Sequence, residues 1–326
     1  MLKDKNNKIQ ILRAVAIIAV VMIHTCKNGI MQVYARPFIN FAVATFLFLS
    51  GYLTDVSKIN IKEFYKRRII RVIIPYTIWS ILYTTVGSIT NGIEFKQYII
   101  NYITAQGAAS LYYIFVYIQF VLLTPLLGKL INNKYWYLGF LIAPLSLSIK
   151  YYWLLSDVVA NKYIYAIWRI CCLGWFTFYY LGLYLKNSKR NKKYNNNMLI
   201  IIYAISIIIQ ICEGYIWYKL GEVNCGTQLK LSSLLTSSIF ILLAYNYIKD
   251  SKFNCNNKAL ITIGNYSFGI YISHLMVLAL LNKIIPFWSS IPFGINSLIV
   301  LSVTFLCTII GKKICGEKIS KYLGLY

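Results

Sequence analysis

Apolar runs of roughly 18 residues or more recur from one end of this chain to the other, and each is long enough to cross a bilayer. That property removes most soluble architectures. In hydrocarbon every backbone amide and carbonyl must find its partner inside the protein, so spans of this length are α-helices. Ten are expected, near 8–27, 37–54, 70–90, 110–128, 135–150, 164–185, 198–217, 230–248, 259–281 and 293–312. The fifth is short enough to be tilted or re-entrant. Residues 92–105 carry an amphipathic pattern suited to the membrane interface. Only 13% of the 326 residues are charged, against about 25% in soluble domains. No hydrophilic block is long enough for a second domain, so 1–326 reads as one all-α transmembrane unit. The first run carries Arg13 and lacks a small-residue cleavage site, so it is expected to stay as a helix.

The net charge of +24 would suit nucleic acid, but its distribution does not. Lys and Arg fall mostly in short loops between apolar runs, with no aromatic-basic RNA motif. Phospholipid headgroups are the simpler partner. With the N-terminus placed inside, 23 of the 33 basic residues lie on the cytoplasmic side and 8 on the outer side. That asymmetry orients the chain with both termini in the cytoplasm.

Ionisable groups deep in such helices are costly and by default mark a functional site. The chain has two histidines, His24 and His274, and both sit in apolar runs. Arg13 precedes His24 by eleven residues, which places the two on nearly the same helix face, about 16 Å apart. A polar line along one face implies a cavity beside it. An imidazole buried there is expected to be neutral, the form a general base needs. Arg13 offers several donors to phosphate or carbonyl oxygen. On these residues alone a second account stands equally: Arg13 snorkels to headgroups and His24 bonds a carbonyl. Measured from their helix starts, both histidines lie about 22–24 Å in from the cytoplasmic end.

Three further segments stand out. FLSGY (48–52) combines Ser50 with Gly51; small-residue packing between helices accounts for it on its own. KRRIIRVIIPY (66–76) puts Lys66, Arg67, Arg68 and Arg71 at a cytoplasmic helix start. Anchoring explains much of that cluster, and phosphate binding is compatible with it. In GNYSFGIYISH (264–274), Ser267, Tyr271 and His274 form an i, i+4, i+7 polar stripe. Arg169 lies about five residues into the sixth helix, placed either for headgroups or for a site. The nine acidic residues all fall at helix ends or in loops, so none can be assigned to orient a histidine. Eight cysteines show no CxxC or Cys/His ligand spacing, and no metal site is expected. There is no GxGxxG, P-loop, GxSxG or HExxH motif.

In order along the chain, the R-x10-H spacing, the SGY turn, the KRRIIRVIIPY segment and GNYSFGIYISH resemble the membrane-bound acyltransferase type 3 family, over about residues 8 to 312. The resemblance implies an integral membrane O-acyltransferase of the plasma membrane, in bacteria. Acetyl-CoA or another acyl-CoA would be the donor, and a hydroxyl of an envelope glycan or lipid-linked sugar the acceptor. By resemblance His24 and Arg13 are the catalytic pair; Arg67, Arg68, Arg71 and Ser50 face the acyl-CoA; His274, Tyr271, Ser267 and Arg169 are expected on the acceptor side. Many relatives carry a fused extracellular esterase-like domain, and here a separate partner is expected for any such step. A polysaccharide exporter or small-solute carrier, for example of serine, on the same frame is the rival reading. The lack of an intramembrane carboxylate weakens an ion-coupled version of it.

Overall fold

Helices α1 (Leu2–Thr25), α2 (Ile30–Ala35) and α3 (Phe41–Tyr52) open the chain. They are followed by α4 (Ile61–Asn91), α5 (Phe95–Ile103), α6 (Tyr112–Ile131) and α7 (Ile142–Leu155). The second half holds α8 (Phe176–Asn187), α9 (Asn196–Lys219), α10 (Leu231–Lys249), α11 (Lys258–Asn265), α12 (Ser267–Ile284) and α13 (Phe293–Leu323). The computed structural model describes residues 2–26, 29–92, 95–155, 168–188, 194–250 and 256–326, and no strand occurs among them. Eight helical segments among the described residues are long and apolar enough to cross a membrane.

The fifth and sixth expected spans are helical but short. A 3-10 turn at Trp136–Phe140 leads into α7, of 14 residues, and α8 has 12. Residues 164–167 of the expected sixth span lie outside the described residues. Every side chain of α8 from Phe176 to Leu185 is buried. A helix so enclosed by protein has no lipid to span. Its neighbour α3 reaches it through paired glycines. A Cβ on Gly51 would strike the Tyr179 carbonyl, and one on Gly182 the Phe48 carbonyl. Gly51 of the SGY turn is therefore a packing residue. Exposed side chains such as Ile200, Ile201 and Ile208 on α9 give the bundle an apolar outer surface.

Three breaks shape the interior. Between α2 and α3 a 3-10 turn at Arg36–Phe38 interrupts the second span at Pro37, which cannot donate a backbone hydrogen bond. The ninth expected span is split at Tyr266 into α11 and α12. The last helix kinks at Gly316 (φ 70°) and stops at Gly324 (φ 73°). That turn folds the C-terminal residues back on the bundle, where Trp79 Nε1 donates to the Leu323 carbonyl at 3.0 Å. Helix α4 begins at Ile61 rather than near 70, capped by Asn60. Arg67, Arg68 and Arg71 thus ride inside a formed helix, not at its start.

Candidate functional site at two abutting cavities

Two cavities enter the bundle from opposite ends. The first, of about 750 Å³, is lined by Arg13, Ser50, Arg67, Arg68, Arg71, Ser267 and Tyr326, among others. Among the described residues no Asp or Glu lines it. Arg68 donates to Tyr117 Oη (3.4 Å) and Thr54 Oγ1 (3.2 Å). The Arg71 Nε donates to Tyr326 Oη at 2.8 Å, and its guanidinium covers the Tyr326 ring at 4.6 Å. Burial pushes the Tyr326 phenol up, partly offset by Arg71. Neutral partners fix these guanidinium groups without cancelling their charge, a chemistry that suits an anion with several oxygens. Arg67 differs: it is paired with a carboxylate, Glu63, at 3.3 Å. Gln10, Arg13 and Tyr326 share this cavity, so the start of α1 and Tyr326 lie at one end of the bundle.

The second cavity, of about 350 Å³, lies at the other end and holds His24. Trp175, Trp217, Tyr112 and Tyr151 give it aromatic walls, while Arg36, Lys150, Arg169 and Lys230 bring cations. Arg169 donates to the Ala105 carbonyl at 2.6 Å. Lys230, the residue just before the span that opens at Leu231, is 1% exposed and donates to the Cys225 carbonyl at 2.9 Å. Burial draws its ammonium below the usual lysine range, with Glu213 opposing. That carboxylate is occupied by Tyr151 Oη, the Ser232 amide (3.1 Å) and Trp217 Nε1 (3.5 Å).

Val20, Val43, Tyr113 and Tyr271 line both cavities. These four residues form the septum between them. Tyr271 is fixed there because its hydroxyl donates to the Ser110 carbonyl. One turn on, His274 stands fully buried with its ring centroid 5.1 Å from that of His24. Its Nδ1 lies 2.7 Å from the Tyr271 carbonyl and 3.1 Å from that of Ile270. A carbonyl only accepts, so Nδ1 carries the proton and Nε2 the lone pair. That Nε2 is buried with no hydrogen-bond partner among the described residues.

The expected site residues therefore divide. Arg13, Ser50, Arg67, Arg68 and Arg71 gather at one cavity, and His24 and Arg169 at the other; Tyr271 belongs to both. His274 lines neither and backs His24. Ser267, expected on the acceptor side, lines the cavity of the arginines instead. The cause is geometric: the stripe Ser267–Tyr271–His274 climbs about 10 Å of helix, from one cavity through the septum to the histidines. Sequence reasoning missed Arg36, Lys150, Lys230, Tyr113 and Tyr326. The three cations do carry a signal, because the charge-bias orientation expects them on the outer side, where basic residues are disfavoured. Among the described residues no three His, Cys, Asp or Glu side chains converge to hold a metal.

Residues 6–312 match the family model described as an acyltransferase domain, of the acyltransferase 3 type. No curated protein and no solved structure matches the chain.

Proposed function

The chain belongs to the acyltransferase 3 family, and on that footing we propose that it moves an acyl group, acetyl foremost, from cytosolic acyl-CoA to a hydroxyl of an envelope glycan or lipid-linked sugar. One observation carries this reading. A cavity rich in arginine and a cavity holding His24 approach from opposite ends and share only a thin wall.

In this reading the arginine cavity faces the cytoplasm. Arg68 and Arg71 hold the phosphates of the donor at its mouth. Arg13, deeper on α1, meets the polar part of the donor arm. The acyl end passes between Tyr113 and Tyr271 toward His24. Neutral His24 takes the proton of the acceptor hydroxyl as its oxygen attacks the thioester carbonyl. A C–O bond forms, the C–S bond breaks, and the departing thiolate receives the proton from His24. His274 acts as a positioning residue, because its Nε2 lone pair can take an N–H from His24 and leave the other His24 nitrogen free as base. A transient acyl-His24 is the variant of this route in which the imidazole attacks first. Base catalysis is worth about 10²–10⁴-fold, so the two cavities must supply much of the remainder by positioning.

The test is acyl transfer from radiolabelled acetyl-CoA to envelope extracts by the purified protein, with His24→Ala alongside. Transfer that survives His24→Ala removes His24 from the mechanism. No transfer by the wild type, together with solute movement in proteoliposomes, would replace the enzyme reading with a carrier.

A further inference from the structure

The outer cavity carries more positive charge than a site for a neutral sugar requires. Arg36, Lys150, Arg169 and Lys230 line it, and Glu222 is the one carboxylate among the described lining residues. Buried cations ordinarily sit against carboxylates, because an uncompensated charge away from water is costly. Here the ammonium groups are held by carbonyls instead: Lys150 by Leu229 at 3.2 Å and Lys230 by Cys225 at 2.9 Å. A carbonyl fixes an ammonium without neutralising it. Arg36 faces the Cys26 thiol, and its Nε is buried with no hydrogen-bond partner among the described residues. Glu213 acts on Lys230 and Glu222 on Lys150, which leaves two carboxylates against four cations among the described residues.

The remaining walls describe the body of the ligand. Tyr151 and Trp217 are stacked at 5.3 Å, and Tyr112 and Trp175 at 6.2 Å. Flat aromatic faces suit the C–H face of a sugar ring, with a few convergent polar groups fixing its orientation.

We propose that the outer cavity takes a saccharide acceptor that bears a negative charge, a carboxylate or a phosphate, held by Arg36, Lys150 and Lys230 while its hydroxyl meets His24. This deepens the acyltransferase reading and rests on it for the word acceptor. The charge selectivity itself does not depend on turnover.

It is tested by binding without donor. The full chain in nanodiscs is titrated with three probes of matched length: an oligogalacturonate, an oligo(glycerol phosphate) and a maltooligosaccharide. Quenching of tryptophan fluorescence is the readout, since Trp168, Trp175 and Trp217 line the cavity. At least one anionic probe should bind about tenfold or more tightly than the neutral one, the scale of one lost charge-assisted contact. Which anionic probe wins separates carboxylate from phosphate. Rising salt should weaken that probe and spare the neutral one. Lys150→Gln should reduce the difference toward equality; the salt series on the wild type decides the matter if that variant does not fold. Equal affinity for all three probes, no binding by either anionic probe, or anionic binding indifferent to salt overturns the proposal. Charge-selective binding with no acyl transfer to any acceptor would sink the acyltransferase reading and leave the anion site standing.

Discussion

His274 holds its Nδ1 against two carbonyls of its own helix, 2.7 and 3.1 Å away, and turns a buried ring toward His24 at a centroid separation of 5.1 Å. The tautomer of one histidine is thereby fixed by backbone, and the other lines the cavity where transfer is proposed. The roles proposed for the two are unequal, which distinguishes them experimentally.

Loss of the base and loss of its support should differ in size. His24→Ala is expected to remove the whole base contribution of about 10²–10⁴-fold in kcat. His274→Phe keeps the ring volume but removes the Nε2 acceptor, and kcat should fall by about tenfold or more with the KM for acyl-CoA unchanged. His274→Gln retains an acceptor and should recover part of that loss. Equal rates for the Phe and Gln variants would show that His274 only fills space.

The arginine cavity yields a ranking among its neighbouring arginines. Arg68 and Arg71 are anchored by neutral hydroxyls, and replacing either by Gln should raise the KM for acetyl-CoA about tenfold. Arg67 already has its charge paired with Glu63, so Arg67→Gln should change it by no more than about twofold. Tyr326→Phe removes the 2.8 Å bond to Arg71 and should fall between them. With acetyl-pantetheine, which lacks the nucleotide phosphates, these differences should vanish. A uniform loss with both donors would mean that the arginines serve the fold.

Much of this arrangement is legible in the sequence, and the limits have physical causes. Arg13 and His24 stand out because charge and imidazole are conspicuous in apolar runs, and the 3.6-residue period already puts them on one face. The division into two cavities is not visible, since it depends on how α3, α6 and α12 meet around Val43, Tyr113 and Tyr271. Ser267 lines the arginine cavity rather than that of His24 for this reason: a shared face says nothing about depth. Helix α8 escapes a length-based reading because burial inside protein removes the need to span lipid. Lys150 and Lys230 look like ordinary loop cations until the fold turns both into one pocket.

The glycine pair makes a stability prediction independent of function. At Gly51 and Gly182 an added methyl meets backbone of the facing helix, which cannot rotate away. Gly51→Ala and Gly182→Ala should each cost about 1–3 kcal/mol, seen as a lower Tm in detergent. Gly294, in the first turn of α13, has open space around its Cβ position. Gly294→Ala should stay within about 0.5 kcal/mol of the wild type. A neutral Gly182→Ala would mean that α3 and α8 do not meet as closely as described.

Lys230 supplies a pH dependence whose sign can be worked out. Burial lowers its affinity for a proton relative to the ordinary value of 10.5, with Glu213 partly opposing. The ammonium therefore loses its proton at a lower pH than an exposed lysine does. An anionic saccharide binds the charged form, so its affinity should fall as pH rises, beginning on the acid side of 10.5. Binding the anion in turn favours the ammonium, and proton uptake should accompany binding in that range. A neutral saccharide should show no such fall. Lys230→Arg keeps its charge throughout, and its affinity should decline less than that of the wild type, with Lys150 left as the titrating ammonium of the site. Fluorescence titrations of wild type and Lys230→Arg across alkaline pH check this directly; parallel declines in the two proteins would take Lys230 out of the anion site.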